Sequence, residues 1–199
     1  MYIFGKANNA SYPKSLQLYG RDLPWVKNAV HLGHEFHQDG TMEHDTNVKR
    51  AQFIEKSIEV REMFSFAYPD QILKAIDTYA AHFYGSMLWD LYGNGANKVF
   101  RTWNTCVKLS WKIPRWTHNY FVEHLLTPKL SSIRKRTLCQ YLGFFRKLLQ
   151  SSSPEIQLLA NTVGRDSGSV TAANLRNIEH EFGKDPWVTT ATGLSTSYM

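Results

Sequence analysis

The spacing of hydrophobic residues along the chain predicts a short β-prone N-terminal part followed by a long helical part. Up to residue 40, brief β-prone runs alternate with turn-forming residues, among them Gly20, Arg21 and Asp22. After Gly40, apolar residues recur with the helical period instead. So few strands cannot form an independent sheet, and we expect them to pack on the helices or on another part of a longer protein. The predicted fold is mainly α: a helical bundle with a small N-terminal β-hairpin unit.

The first helix is expected to begin at Thr41, whose side chain can cap it. The apolar positions expected to face the core are Val48, Ala51, Ile54 and Ile58. The basic residues on a different arc of the same helix are Lys49, Arg50, Lys56 and Arg61. This pattern predicts a helix with one side in the core and another side that could contact phosphate.

Further apolar stripes run through most of the remaining chain and indicate six or seven helices in all. One stripe opens at Pro69 and extends over residues 69–91, and the next, over 99–111, has the clearest periodicity in the chain. Later helices are expected between Leu130 and Leu149, after the cap Ser153, and from Thr171 to Phe182. The Ser/Thr-rich segment 189–199 is predicted to be a disordered tail.

The basic residues are concentrated in one stretch of the chain. Between Lys98 and Gln150 the sequence has eleven lysines and arginines against a single acid, Glu123, a net charge of +10, although the whole chain carries only +6. The rest of the chain therefore has a net charge of −4. A block this basic would concentrate a polyanion and would make its binding depend on salt. The alternative is an ordinary solvated helix face, because lysine and arginine usually lie at surfaces.

Aromatic residues are interleaved with this basic block and could stack on exposed bases. Those that fall on apolar stripes, and are therefore expected in the core, are Trp103, Trp111 and Phe145. Trp116 and Tyr120 follow Arg115 at a junction between a loop and a helix, so both a packing role and a binding role are open to them.

No catalytic constellation is visible in the sequence. It has neither a nucleophile elbow nor a glycine-rich phosphate loop, and no Asp-Asp pair that could hold the metal ions of a polymerase. His31, His34 and His37 are spaced by three along a predicted strand, which places successive side chains on opposite faces and disfavours a metal site. We therefore expect no catalytic residue, no metal and no cofactor.

The cysteines and the hydropathy pattern bear on where the chain works. Cys106 and Cys139 lie in apolar stretches, as the reduced core cysteines of an intracellular protein do, whether nuclear or cytoplasmic. No apolar run approaches the ~20 residues that span a bilayer, and the N-terminus lacks the features of a signal peptide. No membrane partner is expected.

Short blocks distributed over most of the chain resemble the C-terminal part of the reverse transcriptases of non-LTR retrotransposons. The blocks are LPWV and HLGHEFHQDGTM (23–26 and 31–42), VKRA (48–51), YGSMLWDL (84–91), WNTCVK (103–108), YLGFFR (141–146), and LLAN with RD (158–161 and 165–166). Each block is short, and it is their order and spacing that make the resemblance specific. The resemblance covers roughly residues 2–187.

This resemblance implies a division of the chain into regions. Residues 1–40 would be a remnant of the palm with a primer-grip-like β-hairpin, 41–112 a thumb-like helical region, and 113–188 a C-terminal basic helical region. Leu32 and Gly33 match the Leu-Gly of the primer grip, which in this family cradles the primer end. The thumb would track a template–primer duplex by its backbone. The implied partners are therefore RNA, DNA or an RNA–DNA hybrid, together with the polymerase core.

The Asp-Asp catalytic box of this family would lie upstream of residue 2 and is absent from the sequence. The expected function is that of a non-catalytic fragment of a reverse transcriptase, which binds template–primer nucleic acid through backbone contacts. The residues expected to make these contacts are Leu32, Gly33, Lys49, Arg50, Lys56, Lys108, Lys112, Arg115, Arg134, Lys135 and Arg136. The alternatives are a helical protein-interaction module and a non-functional relic of a transposable element.

Overall fold

Seven α-helices follow two small β-hairpins in the part of the chain that the structure describes. The computed structural model describes residues 17–22, 26–126 and 132–183. The strands are β1 Gln17–Leu18, β2 Arg21–Asp22, β3 Asn28–His31 and β4 His34–His37. The helices are α1 Glu43–Met63, α2 Pro69–Tyr79, α3 Asn94–Ser110, α4 Asn119–Leu126, α5 Ile133–Leu149, α6 Pro154–Arg165 and α7 Val170–Phe182, with a short 3-10 turn, Ser86–Leu88, between α2 and α3. The prediction of a mainly α fold with a small N-terminal β-hairpin unit is confirmed.

Each strand pair is an antiparallel two-stranded sheet. β1 pairs with β2 across a turn of two residues, Tyr19 and Gly20, so Arg21 and Asp22, which were predicted in the turn, lie in a strand instead. β3 pairs with β4 so that His31 lies opposite His34. Leu32 and Gly33 connect β3 to β4 with φ angles of 50° and 76°. Positive φ at both positions is the conformation in which a two-residue turn follows the natural twist of the strands.

Helices α1 and α3 lie side by side and run parallel. Near their N-termini, Lys98 Nζ lies 3.2 Å from Glu43 Oε1. Further along both helices, Arg50 Nε donates to Thr102 Oγ1 at 2.8 Å. Helices α1 and α3 form the centre of the fold, because α2 packs against both of them and α4 and α5 pack against α3.

The buried core is shared by helices from most of the described chain. Its largest fully buried side chains are Phe53, Ile76, Trp89, Leu91, Val99, Trp103, Val107, Val122, Ile133, Leu138, Leu142 and Ile178. They come from α1 to α5, from α7 and from the loop after α2. The helices before and after residue 112 therefore contribute to one core, and the division of the chain at that residue stays a prediction from sequence.

The start and the buried face of α1 differ from the prediction. The helix begins at Glu43, and Thr41 lies before it, where its amide and its hydroxyl donate to Asp39 Oδ1 at 2.8 and 2.9 Å. Ala51 and Ile58, which were predicted to face the core, are exposed instead. The buried residues of α1 are Asp45, Thr46, Phe53, Ser57 and Val60.

The packing partners of α1 determine its buried face. The ring of Phe53 lies against those of Phe83 and Trp103, with centroids 5.6 and 6.2 Å apart. Ser57 can be buried on the same face because its hydroxyl donates to the carbonyl oxygen of Phe53 at 2.6 Å. The helix has almost no amphipathic asymmetry of its own. Its local pattern was therefore a poor guide to the side that meets the core.

The helix predicted over residues 69–91 is wrong beyond Tyr79. α2 ends there, and a loop that contains the 3-10 turn follows. Gly85 has a φ of 79°, and a Cβ at this position would lie 1.8 Å from His34 Cε1. A left-handed glycine interrupts helical geometry, while apolar residues such as Trp89 are still buried in the loop. The apolar stripe therefore continued past the true end of the helix.

The last two helices lie where they were predicted. α6 begins at Pro154, and the Ser153 hydroxyl accepts a hydrogen bond from the amide of Ile156 at 3.3 Å. This bond is the predicted N-terminal cap. α7, expected from Thr171, covers Val170–Phe182.

Three further observations bear on the sequence expectations. Cys106 is buried, Cys139 is partly buried, and both are free thiols. Among the described helices, none is long and apolar enough to cross a membrane. The predicted tail, 189–199, and residues 1–16 of the predicted palm remnant lie outside the described residues.

Candidate nucleic-acid interface

A buried carboxylate fixes the β3–β4 hairpin to the helices. Asp45, only 1% exposed, accepts hydrogen bonds from the Glu35 amide at 3.1 Å and from Trp89 Nε1 at 2.9 Å. The buried ring of His34 is its other close neighbour, with Nδ1 3.3 Å from Asp45 Oδ2. The same His34 ring is stacked on Tyr84. One carboxylate therefore joins the hairpin, α1 and the loop after α2.

The tip of this hairpin projects an apolar side chain into solvent. Leu32 is 72% exposed and adopts the left-handed conformation, in which asparagine and glycine are more usual. Lys49 Nζ donates to the carbonyl oxygen of Gly33 at 2.9 Å and ties the tip to α1. The two residues that resemble the primer grip are thus presented at an exposed turn. The ammonium of Lys49, expected to contact phosphate, is bonded to that turn.

Two other basic residues of the predicted set are used inside the fold. Arg50 is partly buried and bonded to Thr102 between α1 and α3. Lys108 is only 7% exposed, and its Nζ donates to the carbonyl oxygen of Arg115 at 3.2 Å and to Asn119 Oδ1 at 2.8 Å. A buried ammonium with these partners does not reach an external phosphate. Lys108 is therefore a structural residue and not part of the exposed surface.

The basic cluster predicted in α5 is divided among different neighbours. Arg134 donates to both carboxylate oxygens of Glu181 in α7, at 2.5 and 2.6 Å, which is a bidentate ion pair. Arg136 is paired with Asp77 in α2. Lys135, which lies between them in sequence, is exposed. The three residues do not form one surface, because two of them connect α5 to other helices.

Exposed aromatic and basic side chains are grouped at the junction of α3 and α4. Lys112, Arg115, Trp116, Tyr120 and Phe121 are all exposed and form what we term the junction cluster. Trp116 is 87% exposed, and more than half of each of the other two aromatic side chains is in solvent. Such a group can stack on bases with its rings and contact phosphates with its cations. The other exposed basic residues of the predicted set are Lys56 and Lys135.

The backbone that carries the junction cluster is fixed to the core. The bonds of Lys108 join α3 to the loop at Arg115 and to Asn119, the first residue of α4. Val122, on another face of α4, is fully buried. Lys112 follows the C-terminus of α3 and adopts the left-handed conformation, with a φ of 55°. The cluster is therefore presented by a defined turn, and the buried Lys108 positions it.

Sequence reasoning missed some members of this surface. His118 and His124 are exposed, and His124 lies with its ring centroid 4.2 Å from that of Tyr120. Phe121 belongs to the aromatic residues interleaved with the basic block, but in a helix as short as α4 the apolar pattern does not distinguish it from the buried Val122. The available signal was the concentration of aromatic and histidine residues that follows Arg115, between 116 and 124.

The aromatic residues expected in the core are there. Trp103 and Phe145 are buried, and Trp111 is partly buried against the core. Trp103 and Phe145 are therefore not accessible for stacking. The basic block thus has an inner set of rings that pack and an outer set, in the junction cluster, that face solvent.

Two further histidines, one in β4 and one in α1, lie close to carboxylates. His37 Nδ1 lies 3.2 Å from Asp39 Oδ2, and His44 Nε2 lies 3.0 Å from Glu35 Oε1. Within the described residues, no group of three or more His, Cys, Asp or Glu side chains could hold a metal ion.

No protein-family model matches this chain, and no curated protein or solved structure matches it. The similarity to reverse transcriptases therefore stays a prediction from short sequence blocks. The exposed residues of the junction cluster and the hairpin tip are the features of the fold that indicate a function.

Proposed function

We propose that this chain binds nucleic acid without catalysing a reaction, as the thumb-side part of a reverse transcriptase of the non-LTR class would, and that it binds through the junction cluster. Lys112 and Arg115 contact phosphates, and Trp116 stacks on an unpaired base. Phosphate contacts and stacking both tolerate any base sequence. The ligand that offers both is a template–primer end, where a duplex continues into a single strand.

The exposure of Trp116 is the observation that carries this proposal. Of the tryptophans whose side chains the structure describes, Trp89 and Trp103 are fully buried and Trp111 is packed against the core, whereas Trp116 faces solvent. A tryptophan buries roughly 150–250 Å² when it packs, so an exposed one forgoes a large hydrophobic stabilisation. A base stacked on the indole would recover part of it, about 1–3 kcal/mol.

The exposed turn at the tip of the β3–β4 hairpin is a second feature that supports the proposal. The left-handed conformation costs a leucine roughly 1–2 kcal/mol, and Leu32 adopts it where its side chain gains no burial. A residue that departs from the local backbone preference at an exposed turn is a candidate for a contact role. In the family that the sequence resembles, the Leu-Gly pair touches the primer end, and we assign Leu32 and Gly33 the same role.

Binding to a labelled RNA–DNA hybrid with a single-stranded template overhang, measured by fluorescence anisotropy, tests the proposal. Trp116→Ala should weaken binding about tenfold, because one stacked base is worth about 1–3 kcal/mol. The matched control is Phe66→Ala, which removes an equally exposed ring, 88% against 87%, from outside the junction cluster. Equal weakening by the two variants, or no binding by the folded wild-type chain at low salt, would contradict the proposal.

A second candidate function, protein interaction, is favoured by α6. Leu158 and Leu159 on this helix are 69% and 63% exposed, and its buried residue is Ala160. Adjacent exposed leucines are typical of a surface that a partner covers, and the resemblance would supply the polymerase core as that partner. Without that partner an exposed apolar face favours self-association. The double variant Leu158→Ser with Leu159→Ser should therefore reduce self-association in sedimentation velocity without weakening binding to the hybrid.

A further inference from the structure

The loop after α2 and helix α5 enclose a groove that no residue of the junction cluster lines. We propose that this groove binds a single nucleotide, with the base on Tyr84 and the phosphate at Lys147. The inference rests on the proposed function for the source of the nucleotide, which would be the unpaired end of a bound strand. The groove itself is defined by geometry and charge.

The groove has the size and the lining of a ligand site. Its volume is about 750 Å³, within the range of roughly 300–1,000 Å³ that is usual for small-molecule sites. Phe83, Tyr84 and Met87 line it from the loop, and Gln140 and Phe144 line it from α5. Apolar and aromatic walls with one side-chain amide can enclose a heterocyclic base and bond to its edge.

Tyr84 is a stacking surface that is supported from behind. It lines the groove with 68% of its side chain exposed. The His34 ring covers one of its faces, with centroids 5.4 Å apart and an angle of 26° between the ring planes. Asp45 in turn holds His34. A ring fixed in this way loses little freedom when a base stacks on its open face, so little of the binding free energy is lost to ordering.

Gly143 leaves the α5 side of the groove bare. It lies in the interior of α5, and no heavy atom is within 4 Å of the position that its Cβ would occupy. Glycine is less favourable than alanine in a helix interior, and here the fold has room for a side chain. Helix packing does not explain a glycine at this position. A flat ligand that lies against the backbone of α5 would explain it.

The charges at the groove suit a phosphate. Of the described residues that line it, Asp77 is the only acid, and it is paired with Arg136. Lys147 lies one turn after Gly143 and is exposed, so its ammonium adds a net positive charge. Hydrogen bonds between an ammonium and a phosphate are among the strong ones. The groove would therefore select a nucleotide over the uncharged nucleoside.

Titration of the ¹⁵N-labelled full chain with 5′-AMP, followed by NMR, tests the site directly. The amide signals of Gly85 and Gly143 come from its two sides and should shift saturably, with a Kd on the order of 1 mM. Gly143→Leu should abolish these shifts by filling the groove, and Lys147→Gln should weaken binding about tenfold. Arg146→Gln is the matched control, because it removes the same charge from a neighbouring exposed residue that does not line the groove.

Several outcomes would overturn the nucleotide site. One is that 5′-AMP shifts amide signals other than those of Gly85 and Gly143. Another is that Lys147→Gln and Arg146→Gln weaken 5′-AMP binding equally. The third is that Gly143→Leu binds 5′-AMP as tightly as the wild type. Circular dichroism establishes that Gly143→Leu is folded, and Tyr84→Leu, at a well-exposed position, must weaken binding as well.

The anisotropy assay separates this inference from the proposed function. Hybrid binding that Trp116→Ala weakens and Gly143→Leu leaves unchanged would support the junction cluster and overturn the groove as a site for the strand end. Saturable 5′-AMP binding in the groove, by a chain that binds no hybrid, would support the nucleotide site and overturn the proposed function.

Discussion

Among the single side chains of the fold, we expect the Asp45 carboxylate to be one of the costliest to remove. Asp45→Ala leaves the Glu35 amide and Trp89 Nε1 without their acceptor and separates His34 from its partner. Each buried donor left without a partner costs about 1–3 kcal/mol, so the two donors together cost about 2–6 kcal/mol. We therefore expect a loss of about 4 kcal/mol from a total stability of roughly 5–15 kcal/mol.

Urea denaturation followed by circular dichroism and tryptophan fluorescence measures this loss. At a slope near 2 kcal/mol/M, the midpoint of Asp45→Ala should fall by roughly 2 M. Asp45→Asn keeps one oxygen acceptor and should lose less. The matched control is Glu59→Ala, at an exposed position of the same helix, which should stay within about 0.5 kcal/mol of the wild type. An Asp45→Ala protein as stable as this control would refute the assigned role of the carboxylate.

Three further predictions concern single positions. Gly143→Ala should raise the free energy of unfolding by about 1 kcal/mol, because the exposed helical site has room for a methyl group; a lower Tm in thermal melts would contradict this. Leu32→Asn should stabilise the hairpin by about 1 kcal/mol, because asparagine tolerates the left-handed conformation. The same variant should weaken hybrid binding in the anisotropy assay, and binding equal to that of the wild type would contradict the role assigned to the tip. The Arg134 guanidinium holds the pKa of Glu181 below its ordinary value of 4.5, so this pair stabilises the fold above that pH and the stabilisation is lost as the pH falls through the lowered pKa. Glu181→Gln should therefore lower the free energy of unfolding by about 0.5–1 kcal/mol near neutral pH and by little in acid. A decrease of equal size at about pH 3 and pH 7 would contradict a stabilising ion pair.

The helices with strong local signals could be predicted from the sequence, and those shaped by distant contacts could not. α6 has a serine cap followed by proline and begins where this pattern placed it. α3 has the clearest apolar periodicity in the chain and covers nearly all of that stripe, although it begins earlier, at Asn94. The buried face of α1 depends on Phe53 meeting rings from α3 and from the loop after α2. In the loop after α2, Gly85 lies against His34, a contact between residues far apart in sequence that the apolar stripe does not indicate.

The same distinction applies to the basic residues. The sequence shows where lysines and arginines are concentrated, but it does not show which of them have partners inside the fold. Lys108, Arg134 and Arg136 each bond to a residue from another element. Trp116 could be singled out because it follows Arg115 in a loop and falls on no apolar stripe.

The salt dependence of hybrid binding tests the proposed function most directly. The slope of log K against log salt, measured from about 50 to 300 mM, changes by about 0.7–0.9 for each phosphate contact. Lys112→Gln with Arg115→Gln should therefore reduce the wild-type slope by about 1.4–1.8, whereas Lys74→Gln with Arg165→Gln, two exposed cations outside the junction cluster, should leave it unchanged. Equal slopes for the two double variants, or hybrid binding by the wild-type chain that does not depend on salt, would contradict binding through the junction cluster.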